Sequence, residues 1–468
     1  MPKQKIVILG AGFAGLWLAC QLLKQEYEVE ILEKEGEVGG LLRTLRYEDF
    51  YLDLGPHIYF ASHKHYFEEF LPNLLQPLQA YYGFAFRGRQ IRSPLTPQNL
   101  FAGLSLWDTF CLTTSFIWNK HSHSPDKSVS QNAEEWCIAK YGKRAYSYFF
   151  KDYIPKVTGL PAHKVAPEWG TERERFYKEH NLWQQSLKPL VKLLRRELGH
   201  GKGLWLYYLP KGSCQIPRAL EDYVVRQGGV IRLCAGVRKI IRGENLNIKR
   251  VAFTENDTLK EIEGDLFVNT LPLSELVRYI KPVPPSICRA AHALKFRNLW
   301  LFYYVINRPF LTDKVQIYFP EKDYLFKRVY EVRPLQNRPT RTAICVEVCY
   351  SENDTISRMS EEELSPLLKE QLMRFYQLKP EELLHILSHK VPFAYAIYER
   401  YYQKHLATIA SFLFTLDNLI SYGRSALFRY NLLTDRIIDG GETTLRYIMS
   451  GRTKREFLGD VNPKGDFL

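Results

Sequence analysis

No C-x-x-C pair occurs among the eight cysteines of this chain, so neither a zinc site nor a disulfide framework is expected. Cys345 and Cys349 stand two strand steps apart on one face and are expected in a core. No apolar run is clean enough to span a bilayer. The richest window, Leu100 to Trp118, is interrupted by Asp108 and holds five Ser and Thr residues; it is expected as a buried helix or one that grazes a membrane. Acids are the minority, 51 against 64 Lys and Arg, for a net charge of +13. Such a balance could serve nucleic acid, an anionic membrane or phosphorylated ligands. The basic residues are scattered, with only short clusters at Lys192–Arg196 and Arg452–Arg455, so a solvated basic surface and no nucleic-acid partner are expected. Repeats and low-complexity tracts are absent. The chain enters a strand almost at once after Met1, which leaves no room for a signal peptide. A cytoplasmic, reducing setting is therefore expected.

What is present begins with a composition, 46% hydrophobic and 25% charged, that suits a globular chain of two or three domains. The 30 Tyr and 27 Phe residues fit flat ligands as well as a generous core. The stretch from Lys5 to Thr44 carries the clearest chemistry. Ile6-Val7-Ile8-Leu9 has the look of a buried parallel strand. It runs into Gly10-Ala11-Gly12-Phe13-Ala14-Gly15, an unbroken G-x-G-x-x-G. A helical pattern follows from Leu16 to Gln25, then a second strand, Glu28 to Glu33, that ends on an acid. Gly10 permits the tight turn, Gly12 lets a pyrophosphate approach the backbone, and Gly15 lets helix and strand pack closely. The helix start offers N–H groups and a positive dipole end to that pyrophosphate. Glu33 lies 23 positions after Gly10, where a carboxylate can accept hydrogen bonds from a ribose 2′-OH. An acid there disfavours the 2′-phosphate of NADP. Glycine turns occur by chance, but strand, glycines, helix, strand and terminal acid in register specify a dinucleotide site.

Gly39-Gly40 follow the acid after five residues, and Leu41-Leu42-Arg43-Thr44 come next. This run resembles the dinucleotide-binding extension of two-dinucleotide-domain flavoproteins, among them monoamine oxidases, protoporphyrinogen oxidases and phytoene desaturases. The resemblance implies FAD, with Gly39, Gly40 and Leu41 against it and Phe13, Ala14 and Lys34 beside its nucleotide half. Many members carry Arg directly after the glycine pair, where Leu41 stands here. Gly55-Pro56-His57 forms a turn after an extended run. It resembles the segment that approaches the flavin in protoporphyrinogen oxidases and, more closely, in UDP-galactopyranose mutases, although Phe60 replaces a histidine common in the mutases. His57 is thus a candidate neighbour of the flavin ring; a locally bonded turn histidine is the alternative.

The same resemblance extends along the chain. Trp169 and Arg173 match the substrate-domain stretch, and Arg173 could meet an anionic substrate group, because a guanidinium fork matches carboxylate or phosphate. A role in structuring the surrounding helices explains it equally well. Pro210-Lys211-Gly212-Ser213, a helix, a strand and Gly236-Val237 resemble the return to the FAD domain, which places the Val237 backbone at the adenine. The aromatic cluster from Pro392 to Tyr401, with Tyr398, resembles the segment that runs toward the pocket, although core packing explains such a stripe as readily. Gly423-Arg424, Tyr430 and Asp435 resemble the closing motif along the ribityl and pyrophosphate, with Ala426 and a displaced Asp435 as departures.

The expected architecture is α/β: a Rossmann-like FAD-binding domain with an inserted α+β substrate domain. The FAD domain is assigned segments 1–60, 204–275 and 405–450. The substrate domain takes a helical insertion, 61–203, in which Ala133 to Phe150 reads as one amphipathic helix, and a mixed-sheet insertion, 276–404. Strand-like runs there are Leu299–Ile306, Val315–Phe319, Leu325–Val332 and Ala343–Tyr350. Residues 451–468 read as a loose tail. The resemblance implies an oxidoreductase that passes a hydride from a small-molecule substrate to flavin N5, with His57, Arg173 and Tyr398 as catalytic candidates and no metal. A flavin-dependent isomerase like UDP-galactopyranose mutase is the alternative. Peripheral membrane contact and oligomeric state are left open.

Overall fold

The structure, a computed structural model, describes residues 4–60, 64–93, 99, 103–122, 130–179, 204–243, 247–332, 340–430 and 434–460. β1 (Lys5–Leu9) is the middle strand of a five-stranded sheet ordered β20 (Leu419–Ser421), β13 (Leu266–Asn269), β1, β2 (Glu28–Leu32), β9 (Val230–Arg232). Every pairing in it is parallel. A parallel sheet needs both faces covered, and the apolar run of β1 meets that need. Ile6 and Ile8 pack with α1 (Phe13–Lys24), α6 (Gln215–Arg226) and α9 (Thr434–Ser450). Val7 and Leu9 face the opposite way, toward β10 (Ala235–Arg242) and β11 (Ile248–Glu255). β11 turns into β12 (Thr258–Glu263) at Asn256-Asp257. Both turn residues have positive φ, as a tight hairpin requires.

Over one end of this sheet lies a nine-stranded sheet. Its order is β19 (Leu383–Ala396), β15 (Phe296–Ile306), β18 (Thr342–Tyr350), β17 (Arg328–Glu331), β16 (Lys314–Tyr318), β6 (Gln76–Phe86), β8 (Leu204–Tyr208), β5 (Tyr59–Phe60), with β7 (Arg89–Ser93) also on β6. The four strand-like runs of the second insertion all fall in it. Cys345 and Cys349 are buried in β18. α7 (Glu361–Tyr376) covers one face with Leu364, Leu368 and Leu372 and starts at a capping box, Ser360 with Glu363.

Four expectations about local structure are corrected. The stretch after His63 is not helical throughout, because β6 and β7 form a hairpin inside it. The run Tyr81, Tyr82, Phe84, Phe86 suits a half-buried pleated surface better than a helix. The strand at Leu204 pairs with β6, not with the parallel sheet. The single helix expected from Ala133 to Phe150 is two, α3 (Ala133–Tyr141) and α4 (Lys143–Phe149), broken where Gly142 takes φ +86. The tail is not loose up to residue 460, because α10 (Lys454–Asp460) docks there. The buried Lys454 ammonium donates to the carbonyl oxygens of Leu413, Leu416 and Leu419 at 2.9, 2.9 and 2.6 Å. Leu413 lies in the last turn of α8 (Tyr402–Phe414), so the ammonium adds a second donor to a carbonyl at that helix's negative end. Residues 461–468 and the cluster Lys192–Arg196 lie outside the described residues. Among the described residues, no helix is long and apolar enough to cross a membrane.

Candidate active site

The turn after β1 draws three distant segments together. Gly12 is the N-cap of α1; no side chain caps it, and the first turn carries no acid. The leading N–H groups of α1 therefore stand at a positive helix end. A Cβ built on Gly12 would meet no protein atom within 4 Å, whereas one on Gly15 would overlap the Gly10 carbonyl oxygen. Gly15 is glycine for packing, and Gly12 is glycine for what lies outside the chain. The Gly39 N–H donates to the Ala11 carbonyl at 2.9 Å. A Cβ on Gly40 would lie 3.3 Å from Gly12 Cα, and one on Gly423 would lie 2.8 Å from the Ala14 methyl. Phe13 and Ala14 are buried at the head of α1. First glycine turn, second glycine pair and closing turn thus line one cleft.

Glu33 directly follows β2, beneath that turn. Its carboxylate accepts from the Ala11 N–H at 2.8 Å and the Glu35 N–H at 3.0 Å, which leaves lone pairs on both oxygens. Lys34 is exposed and 3.5 Å from Glu35. Val237 pairs with Phe253 in the β10–β11 ladder. Its neighbour Gly236 would bring a Cβ within 3.7 Å of the Lys34 Cβ, so Val237 and Glu33 share one end of the cleft. An uncapped helix start, a cradle open only at Gly12 and a carboxylate one strand away fit the pyrophosphate and ribose of FAD.

At the other end His57 Nε2 lies 2.9 Å from the Leu41 carbonyl oxygen. A carbonyl only accepts, so Nε2 carries the proton and Nδ1 is the acceptor. Burial pushes the imidazole pKa down, against the pull of Asp53, and so favours the neutral ring. Asp53 is pushed up by burial, against His57 and its hydrogen bonds with Thr44 and Ser213. Its carboxylate accepts from Thr44 Oγ1 at 2.5 Å, Ser213 N–H at 2.9 Å and Ser213 Oγ at 2.8 Å. Its backbone oxygen accepts the hydroxyls of Tyr303 and Tyr330 at 2.7 and 2.6 Å. The Gly55-Pro56-His57 turn is therefore tied both to the Gly212 turn and to the large sheet.

Beside Gly55 stands Glu347, 3.6 Å from a Cβ built there and fully buried in β18. Lys327 Nζ lies 3.0 Å from one of its oxygens, an ion pair without hydrogen-bond direction, and Arg328 donates to the other at 2.6 Å. Lys327 also donates to the Tyr395 hydroxyl at 2.8 Å. The Arg424 guanidinium lies 5.0 Å from the Tyr395 ring centre and donates to the Ala394 carbonyl. The Tyr430 ring is 5.2 Å from that of Tyr395. His57, Arg424 and Tyr430 are thus joined through a buried charge cluster. Tyr398 lies behind them, buried and stacked on Tyr402 at 4.4 Å. Its hydroxyl is 3.0 Å from both Glu172 oxygens and accepts the Tyr430 N–H at 2.8 Å. Arg173 follows Glu172 in α5 (Glu168–Glu179), and Asp435 sits in α9; their side chains lie outside the described part of the structure.

Asp53, Glu172, Lys327, Arg328 and Glu347 are the site residues that sequence reasoning missed. One signal was available: Glu347 is the single charge in Thr342–Tyr350, an otherwise apolar run, and a buried charge needs a partner.

A parallel sheet whose glycine turn, glycine pair and closing turn line one cleft, with a mixed sheet over its far end, is a dinucleotide-binding flavoprotein fold. The model of the flavin-containing amine oxidoreductases matches residues 13–415, and the chain belongs to that family. FAD is its cofactor. The backbone is similar to that of a reduced UDP-galactopyranose mutase, with a TM-score of 0.79 at 19% identity over 98% of this chain and 96% of that one. It is also similar to a proposed protoporphyrinogen oxidase of Exiguobacterium sp. 255-15, at 0.72 and 15% identity over 97% and 100%. Likeness at such identities establishes the fold. A 1-hydroxycarotenoid 3,4-desaturase of a Flavobacterium sp. is 21% identical over 266 residues, and the match spans about half the length of that relative, 52%.

Proposed function

We propose that this chain is an FAD-dependent oxidoreductase that takes a hydride from a small organic molecule. The observation that carries the reading is the convergence of Gly12, Gly39-Gly40 and Gly423 on one cleft that ends at His57 and Arg424. FAD supplies the hydride acceptor, N5 of its ring. The chain's own residues bind and orient. The α1 N-terminus holds the pyrophosphate, while Glu33, Lys34 and Val237 hold the AMP half. Gly40, Leu41, Gly55, Pro56 and His57 flank the ring. Gly423, Arg424, Tyr430 and Asp435 follow the ribityl chain. Neutral His57, fixed by Leu41, offers Nδ1 as an acceptor to substrate or ring. Tyr398 acts by positioning, because its hydroxyl is committed to Glu172 and the Tyr430 backbone. Arg173 is assigned to an anionic substrate group. Segments 1–60, 204–275 and 405–450 form the flavin half, supported by the parallel strands they supply, although β5 and β8 join the mixed sheet. The remaining insertions form the substrate half. We assign a cytoplasmic setting, which eight free cysteines suit, and a peripheral lipid contact through α2 (Leu106–Ser122).

The purified protein is expected to be yellow and to release FAD, rather than FMN or NAD, on denaturation and chromatography. A folded protein that stays colourless when FAD is added would sink this reading.

Backbone likeness to a mutase and the Gly55-Pro56-His57 turn favour a second reading, redox-neutral isomerisation of a sugar nucleotide. Phe60 and Ala426 stand against it. Reduced protein incubated anaerobically with UDP-galactopyranose is expected to give no furanose form. Conversion with the flavin still reduced would make the isomerase reading correct and ours wrong.

A further inference from the structure

α2 commits polar side chains to the protein and turns most of its large apolar ones to solvent, beside the exposed Thr113 and Thr114. Asp108, Thr109, Leu112 and Asn119 form its buried side. Asp108 accepts from Arg87 and Ser105 at 2.7 Å and from Tyr148 at 3.0 Å, and Asn119 donates to the Ala139 carbonyl at 2.8 Å. On the opposite side Leu106 is 79% exposed, Trp107 70%, Phe110 59%, Ile117 52% and Trp118 76%. At 3.6 residues per turn these five fall within an arc of about 120°. A globular helix normally turns such a stripe inward. Here the polar side is committed by hydrogen bonds and cannot be exchanged for it.

We propose that this face docks on the surface of an anionic lipid bilayer, with the helix lying in the plane of the membrane. The inference extends the peripheral contact assigned above and does not depend on the flavin chemistry. Trp107 and Trp118 lie on the same flank, roughly 16 Å apart along the axis, with Phe110 between them and stacked near Trp107 at 5.9 Å. Two tryptophans at one level and aliphatic residues beside them suit the headgroup boundary, where indole buries its rings and keeps its N–H wet. Charge selects the lipid. On α2, the β6–β7 hairpin and α4, the layer packed with α2 through Phe86, Ile91, Leu112 and Phe149, the cations are Arg87, Arg89, Arg92, Lys143 and Arg144. Arg87 pairs with buried Asp108 and Arg92 with Asp313 of the neighbouring loop, which leaves Arg89, Lys143 and Arg144 in excess. α3 behind them adds Glu134 and Glu135, the latter accepting from the Gln131 N–H, and Lys140 paired with Glu174. Two copies meeting face to face would oppose these cations, and each chain carries +13. An anionic surface attracts them.

Flotation of the FAD-loaded full chain with vesicles tests this, using phosphatidylcholine alone or an equimolar mixture with phosphatidylserine. The wild type is expected to float with the mixed vesicles and about tenfold less with phosphatidylcholine. Trp107→Ser/Phe110→Ser/Trp118→Ser should float about tenfold less with the mixed vesicles, yet keep its flavin absorbance and its mass on size exclusion. Leu367→Ser, an exposed apolar site elsewhere, should float like the wild type. Three results would overturn the proposal: no flotation of the wild type with mixed vesicles, undiminished flotation of the triple variant, or a wild-type dimer that the triple variant dissolves. Loss of flavin from the wild type would count against the oxidoreductase reading alone.

Discussion

Gly12→Val is expected to give a folded protein that has lost its FAD. The backbone at Gly12, φ −71 and ψ 177, is extended and open to any residue. A Cβ there meets no protein atom within 4 Å. Replacing a glycine N-cap by valine removes little helix stability, about 1 kcal/mol. The isopropyl group would instead stand over the first N–H groups of α1, where the pyrophosphate has to approach. A loss of affinity of at least about a thousandfold, roughly 4 kcal/mol, is expected. Circular dichroism should match the wild type while absorbance near the flavin band is absent and an FAD titration fails to saturate. Gly15→Val, which drives a methyl into the Gly10 carbonyl, should fail to fold and so separates packing from binding. Normal FAD content in Gly12→Val would show that the first forty residues are not the nucleotide site.

The β1–turn–α1–β2 unit was legible because every local signal in it agrees. The apolar run, the glycine spacing, the helix and the terminal acid each point to one arrangement. The second glycine pair and Gly423 were legible through motif order, although nothing local says that Gly423 packs on Ala14. Other features depend on partners far away in the chain. Glu347 meets Arg328 because β17 and β18 pair in that register, and neither run specifies it. Tyr398 finds Glu172 across 226 positions. Gly142 stands in a helical pattern that periodicity alone carries through, and only its left-handed φ marks the break. The window Leu100–Trp118 reads as a helix that is buried or grazes a membrane; the hydrogen bonds of Asp108 and Asn119, to partners far away in the chain, fix which side of α2 faces inward.

Glu347→Gln should destabilise the protein by about 3–5 kcal/mol, because it leaves Lys327 and Arg328 as buried charges without their counter-ion. Size and shape are kept, so the loss is one of charge. With FAD in excess at pH 7, Tm should fall by about 5 °C or more. The pH dependence follows from the direction of each shift. Burial alone would raise the Glu347 pKa, but Arg328 and Lys327 outweigh it and hold it below the ordinary value. Its contribution is therefore complete above its unfolded pKa, about 4.3, and is lost as pH falls through the folded value. Lys327 is shifted up, with burial opposing and the Glu347 charge prevailing. Its contribution is complete below about 10.4 and is lost only as pH rises through the folded value. The gap between wild type and variant should thus be flat from about pH 5 to 9 and close in acid. A gap that widens on acidification would contradict the assignment. Lys327→Met tests the pairing itself: it should cost about 1–3 kcal/mol less in the Glu347→Gln background than in the wild type. Equal costs in both backgrounds would mean that the charges are uncoupled. The link from the Gly55 turn through Glu347 to Tyr395 would then be packing alone, and His57 would have to be held by Leu41 and Asp53 without it.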